Sequence, residues 1–400
     1  MTYLAFVRQE KKLLSFAVSF TFFSSFGQTF LLSLFVPYFL VAFDLSNASF
    51  GTLYSAATLT GGFILPWLGH WIDKIPLRKY SMYVAFTLCT ASLLMAFSWH
   101  IATLFASLLL LRLSGQGLSG HTAQTTMARY YNSERGKALS ISSLGYPLGE
   151  ALLPALIAGL LMVFHWRTTW ALIAGIIAFI FIPALWYLIR SERTIEQPEH
   201  KDKAKSGESN FRSILYDRRF LFVTPAVLMP PFWATGLFLY QISVGAELGW
   251  SAGLIASAFI AFAGARIIVG LFSGPLIDRF SARTLFPFLL VPMTLGLLMG
   301  VIFHGGWVAF VYMSLLGATM GLSGTVKTAL WAELFGQEKI GSVQSLYSSI
   351  MVFSTAVSPL LVGWLLDINV SISLILWGAV GSCILAGLLS LRVLPVFKKK

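Results

Sequence analysis

Charge is what this chain has least of: Asp, Glu, Lys and Arg make up 11% of its 400 residues, against roughly 25% in soluble domains. That shortage argues against a water-soluble protein. Cysteine is nearly absent too. Cys89 and Cys383 both fall inside apolar stretches, which points to neither a disulfide framework nor redox chemistry. His70, His100, His121, His165, His200 and His304 show no metal-ligand spacing, so neither a metal nor another cofactor is expected. His121 leaves two readings open, a group titrating near neutrality or a satisfied donor near a helix end. No G-x-x-x-x-G-K-[ST] loop occurs, so nucleotide-driven work would need another subunit. No His/Asp cluster, activated nucleophile or HExxH helix supplies a catalytic constellation, and an enzyme is not expected.

Apolar length is what is present. Hydrophobic residues make up 57% of the chain, and stretches long enough to span a bilayer recur at 13–42, 47–68, 80–98, 101–127, 138–163, 168–189, 219–245, 252–273, 284–303, 307–333, 343–366 and 371–392. About 20 residues suffice for one crossing, and backbone satisfaction in lipid requires helices. The fold class expected is all-α, with twelve transmembrane helices in two six-helix bundles. The apolar run after Lys11-Lys12 is about twice a signal peptide's apolar region and lacks an A-x-A-like end, so it reads as an anchor.

The net charge of +12 raises the question of nucleic acid, and the placement of the 28 basic residues answers it. With the N-terminus inside, 24 fall in cytoplasmic segments, one (Arg167) falls outside, and three (Arg112, Arg266, Lys327) lie within spans. This is the positive-inside pattern, with both termini cytoplasmic. Clusters such as Lys74/Arg78/Lys79, Arg129/Arg135/Lys137 and Lys398 to Lys400 therefore read as topology determinants, not nucleic-acid contacts. The polar stretch containing EQPEHKDKAKSGESN suits a linker. It divides the chain into an N-terminal bundle (1–189), a cytoplasmic linker (190–218) and a C-terminal bundle (219–400).

The two bundles repeat one another. At an offset of about 205, Gly69-x-x-x-Asp73-Lys74-x-x-x-Arg78 matches Gly274-x-x-x-Asp278-Arg279-x-x-x-Arg283, Gly117-Leu-Ser-Gly120 matches Gly321-Leu-Ser-Gly324, and Pro154 falls opposite Pro359. Internal symmetry of this kind is a mark of transporter folds. The residues after spans 2 and 8 resemble the G-x-x-x-D-[RK]-x-G-x-[RK]-[RK] segment of the major facilitator superfamily, with Pro76 and Ser281 in place of the second glycine. The resemblance covers the whole chain. It implies two bundles that rock about a central site, with the motif (Gly69, Asp73, Lys74, Arg78; Gly274, Asp278, Arg279, Arg283) as a cytoplasmic latch. A glycine also permits close helix approach, and an acid at a helix end can engage a neighbouring helix N-terminus.

Of the 16 acidic residues, only Glu150 lies deep within a span. An ionisable residue at depth is a functional hypothesis, and its expected partner is Arg112, since both lie about 20 Å from the cytoplasmic ends of their helices. Two readings stand side by side: a pair that opens and closes to couple protons, or a static pair that ties helices 4 and 5 together. Arg266 and Lys327 have no acid within two turns on their own helices. Three embedded cations against one acid favour an anionic solute, for which Arg offers a planar fork and Lys a point charge. Lys327 is also near enough to a helix end to snorkel. Arg266 and the preceding Gly249-Trp250-Ser251 resemble the monocarboxylate and oxalate/formate branches. Phe262 stands where the animal monocarboxylate branch carries aspartate, so that coupling scheme does not transfer.

Spans 1 and 7 are both expected to be interrupted, by Gly27 and Pro37 in one and by Pro230-Pro231 and Gly236 in the other. Paired breaks point to a binding site, with Gln28, Thr29, Tyr240 and Gln241 able to hydrogen-bond a solute. The expected activity is secondary transport of a small carboxylate-bearing solute by alternating access, with protons as a second partner. The partner surface is a bilayer, a bacterial inner membrane, and the protein is expected to be a monomer. The alternatives are an exporter of hydrophobic, drug-like or siderophore cargo, a membrane-embedded transferase, and a transporter-like sensor without flux.

Overall fold

The computed structural model describes residues 3–131, 134–189, 211–336 and 339–393. Among these there are helices and no strands. This is what lipid demands, because a helix closes its own backbone hydrogen bonds. Among the described residues nine helices are long and apolar enough to cross a membrane, and ten when the pair Lys11–Gly27 and Thr29–Ala42, bent by 45°, counts as one span. That pair is α1. It is followed by α2 (Asn47–Gly69), α3 (Leu77–Ala96), α4 (Ile101–Tyr130), α5 (Arg135–Val163) and α6 (Trp166–Ile189). The second series is α7 (Arg218–Leu239), α8 (Ala252–Phe280), α9 (Ala282–Ile302), α10 (Gly306–Phe335), α11 (Ile340–Asp367) and α12 (Ile372–Ser390). Each apolar stretch read from the sequence thus carries a helix. The two that fall outside the nine or ten, α2 and α3, are 23 and 20 residues long.

The chain divides into two compact units, Met1–Leu45 with Thr52–Glu199, and His200–Lys400 with Ser46–Gly51. Most of the expected linker, 190–210, and the Lys398 to Lys400 cluster lie outside the described residues. The linker's last part is structured: Phe211–Leu215 form a short helix, and Asp217 caps α7 by accepting from the Arg219 amide at 2.8 Å.

Aromatic side chains fill both units. In the first, α1 meets α6 through Phe23 stacked on Phe181 (4.1 Å), Phe35 against Trp170 (4.9 Å) and Phe39 edge-on to Trp166 (5.2 Å). In the second, Phe220 of α7 lies on Trp331 of α10 (5.6 Å), and Phe238 of α7 meets Phe259 of α8 (5.3 Å). Large apolar side chains such as Phe63 and Phe179 are more than four-fifths exposed. A soluble protein would hide them, whereas a lipid-facing surface needs them.

Helices α8 and α10 approach closely where α10 carries Gly317 and Gly321. A Cβ at Gly317 would overlap the Phe262 carbonyl, and one at Gly321 would sit 2.9 Å from the Gly270 nitrogen. Small residues at such crossings are the means by which membrane helices pack.

Candidate functional site

The first unit is irregular where α1 crosses α4. Ser24–Gly27 winds as a 3-10 turn, and Gln28 is extended (φ −84°, ψ 150°) before the helix resumes at Thr29. Ser24 contributes by donating its hydroxyl to the Thr21 carbonyl at 2.6 Å, a local bond that competes with regular helix. Opposite lies Arg112–Ser119 of α4, a π-helical stretch with two glycines, the kind of bulge that concentrates at functional sites. Gly27 and Gly115 meet at the crossing: a Cβ on Gly115 would lie 2.7 Å from the Gly27 nitrogen and Cα. The extended Gln28 leaves the Gly27 carbonyl without a helical donor, and Arg112 supplies one.

Arg112 is only 4% exposed. Its Nη1 donates to the Gly27 carbonyl (3.1 Å) and to Thr29 Oγ1 (3.4 Å), and its Nε donates to Thr58 Oγ1 (3.1 Å). The guanidinium also lies 4.8 Å from the Tyr54 ring centroid. Tyr54 is held in turn by a 2.7 Å hydrogen bond between its hydroxyl and Thr29 Oγ1. All of these partners are neutral, and Arg112 makes no ion pair among the described residues. The Arg112–Glu150 pair expected from shared depth is therefore not formed here. The reason is α1: α5 packs on it through Gly145 and Gly149, which face Thr21 and Ser25, so the broken span offers Arg112 nearer acceptors. Glu150 is itself buried, at 7% exposure, and Gln28 is half-buried.

The motif segment of this unit is organised around Asp73, at the end of a 3-10 turn His70–Asp73. Its carboxylate forms an ion pair with Arg129 of α4 and lies 3.2 Å from His70 Nδ1. Arg129 also donates to the Ile72 carbonyl at 3.4 Å. The Gly69 carbonyl is 3.1 Å from His121 Nε2, so that nitrogen carries the proton, in keeping with a satisfied donor. A cavity of about 410 Å³ opens among Gly69, His70, Asp73, His121 and Arg129. Arg78 stacks 3.4 Å from the Trp186 centroid, and Lys74 is exposed.

The second unit builds its copy differently. Helix α8 continues to Phe280, so Asp278 and Arg279 sit on its last turn, not in a loop, and both are exposed. Ser281 turns the chain in the left-handed region (φ 67°). The Glu333 carboxylate of α10 then caps α9, accepting from the Ala282 amide at 2.7 Å and the Arg283 amide at 3.1 Å, while Arg283 Nη2 donates to the Glu333 carbonyl. The offset of 204 that aligns Gly117 with Gly321 sets Glu333 opposite Arg129. One unit thus holds its motif acid with a base on the fourth helix, and the other holds its motif base with an acid on the tenth. Sequence reading missed Glu333. Its signal was available as a charge reversal at equivalent positions.

Spans 1 and 7 are both broken, span 1 at Gly27–Gln28 and again at the 3-10 turn Ser33–Phe35 just before Pro37, span 7 away from its prolines. Pro37 opens the last helical piece of α1, and α7 runs unbroken through Pro225, Pro230, Pro231 and Gly236 to Leu239. The interruption falls at Tyr240, after which Gln241–Glu247 form a separate helix. Just after the proline pair, Thr235 donates to the Pro231 carbonyl and Ser358 of α11 to that of Phe232, at 2.7 and 2.6 Å. Tyr240 and Gln241 are buried, and the Tyr240 hydroxyl donates to the Asn47 carbonyl (2.7 Å), part of the Ser46–Gly51 segment that groups with this unit. Arg266 is half-buried where α8 meets Gly321 of α10. Lys327 is half-buried too, its ammonium 4.6 Å from the Tyr347 ring centroid, and it makes no ion pair among the described residues.

Repeated bundles of spanning helices, the first irregular where it carries the buried Arg112, are those of a polytopic membrane transporter. A family model described as Major Facilitator Superfamily matches residues 18–244 and 221–400, and the chain belongs to that superfamily, as a secondary transporter and not an enzyme. The structure is similar to that of the nucleoside transporter NupG (12% identity, TM-score 0.75, 98% of this chain and 99% of that one) and of a NupG point mutant (12%, 0.75, 96% and 99%). It is also similar to a bacterial homolog of the human lysosomal transporter Spinster in an inward-facing, occupied conformation (14%, 0.69, 98% and 97%). None of the curated proteins matches the sequence.

Proposed function

We propose that this transporter moves a small carboxylate-bearing solute by alternating access, with Glu150 coupling the cycle to protons. The observation that carries the reading is Arg112: a guanidinium 4% exposed whose hydrogen-bond partners are two threonine hydroxyls and a carbonyl. Burying a charge is costly unless it is paired, so a cation kept without an internal carboxylate is suited to an anion that comes and goes. Lys327, facing a tyrosine ring, supports the same reading in the second unit.

Arg112 and Gln28 in the first unit, and Arg266, Lys327, Tyr240 and Gln241 in the second, are the residues assigned to the solute. The copies Gly69/Asp73/Lys74/Arg78 and Gly274/Asp278/Arg279/Arg283 are assigned to gating. The resemblance of Arg266 and its flanks to the monocarboxylate and oxalate/formate branches agrees with a carboxylate. The distribution of Lys and Arg supports cytoplasmic termini in a bacterial inner membrane. The test is uptake by the purified monomer in proteoliposomes, with small carboxylates and lipophilic cations as competitors. Competition by the carboxylates, lost in Arg112→Gln, is expected; stronger competition by the lipophilic cations overturns the reading in favour of hydrophobic cargo.

A further inference from the structure

The first unit has a second cavity, of about 600 Å³, at the end remote from the α2–α3 connection. It is walled by Tyr38 and Val41 from the end of α1, by Trp99 between α3 and α4, and by His165, Trp166 and Arg167 where α6 begins. Arg167 organises it. Its guanidinium lies 4.0 Å from the Trp99 centroid and 4.2 Å from that of Trp166. Nη2 donates to the Ser98 carbonyl at 2.9 Å, Nε is enclosed with no acceptor, and Nη1 has no acceptor among the described residues. Five N–H donors thus meet one carbonyl. His165 Nδ1 accepts from the Arg167 amide at 3.3 Å, which leaves its Nε2–H free to donate at the rim.

Two further facts identify a ligand. Of 28 Lys and Arg, Arg167 is the single one in the connections on its side of the membrane, where a basic residue works against the topological signal. The cavity also sits among aromatic side chains, with Trp99 66% and Tyr38 39% exposed, and beside bare apolar ones, Val41 (85%) and Met162 (88%). Exposed Trp and Tyr mark the headgroup level, with acyl chains beyond. A planar guanidinium held between indoles presents its donors edge-on, a geometry matched to phosphate.

We propose that this cavity binds the phosphate of a glycerophospholipid headgroup, in the leaflet opposite the Lys- and Arg-rich segments. Arg167 and His165 donate to the phosphate, Trp99 and Trp166 form the walls, and the exposed apolar flank takes the start of an acyl chain. The site is independent of the transported solute.

The experiment is native mass spectrometry of the detergent-purified protein titrated with phosphatidylglycerol, and separately with inorganic phosphate. Wild type retains bound phospholipid, and Arg167→Gln weakens retention by at least about tenfold, the factor expected for one lost charge-assisted hydrogen bond. Arg167→Lys, which keeps the charge and loses the flat stack, falls between them. Thermal unfolding of each variant reports folding. Should Arg167→Gln misfold, Trp99→Leu at an exposed wall provides the second measurement, with the same direction expected. Equal lipid retention in the folded variants overturns the proposal, and so does displacement of the lipid by inorganic phosphate, which would make this a site for a soluble anion.

Discussion

Replacing Gly27 by alanine probes the crossing on which the Arg112 site depends. The added Cβ would overlap the Leu111 carbonyl and lie 2.7 Å from the Gln116 nitrogen and 2.8 Å from the Gly115 Cα. All three neighbours are backbone, so no rotamer change relieves them. Ordinary carbon contacts lie near 3.5–4.0 Å, and α1 and α4 must therefore part by about 1 Å. The Arg112 bond to the Gly27 carbonyl, now 3.1 Å, then stretches out of range. Overpacking costs about 1–3 kcal/mol, and a hydrogen bond to a charged group about 1.5–3 kcal/mol, giving roughly 2.5–6 kcal/mol together. The comparison is Gly159→Ala in α5, where nothing lies within 4 Å of the new Cβ and better helix propensity stabilises by about 1 kcal/mol at most. Both are measured by reversible SDS unfolding in mixed micelles. Equal midpoints for the two variants refute the reasoning.

Three further outcomes are expected. Glu150→Gln abolishes solute accumulation driven by a pH gradient while sparing downhill exchange; undiminished proton-driven accumulation removes Glu150 from coupling. Glu333→Gln leaves one oxygen where two amides are now accepted, so hydrogen exchange at Ala282 and Arg283 accelerates by about tenfold, one charge-assisted bond's worth, and unchanged protection argues against the cap. The hydrogen bond from Arg219 holds the Asp217 carboxyl below its ordinary value of 3.8. A depressed value stabilises the fold fully above that pH and loses the contribution as pH falls through the folded-state value, so Asp217→Asn flattens the acid limb of a thermal-stability profile below about pH 4; a parallel limb would show that the carboxylate contributes nothing.

The sites differ in how legible they were. Asp73 was visible as a spaced residue, but its partner Arg129 was one base among many, and Glu333 showed only as a charge reversal at the position equivalent to Arg129, with nothing to say that it caps α9. Proline marked one interruption of α1, at Pro37, but was a poor guide in α7, which runs helical through three prolines and stops at Tyr240. At Gln28 and Tyr240 no proline marks the break. Equal depth suggested that Arg112 and Glu150 meet, but depth fixes one coordinate of three.

By itself the sequence determined the all-helical class, the places of the spans, the internal repeat and the family. These follow from one-dimensional properties, namely apolar length, charge along the chain and residue spacing, which lipid converts directly into structure. Only the tertiary structure decided that Arg112 is surrounded by neutral groups, that the two motif copies are held by opposite charges, and that the lone Arg167 is stacked between two tryptophans. Those outcomes depend on the rotation of each helix about its axis and on where irregular turns expose a carbonyl, both set by packing between segments far apart in the chain.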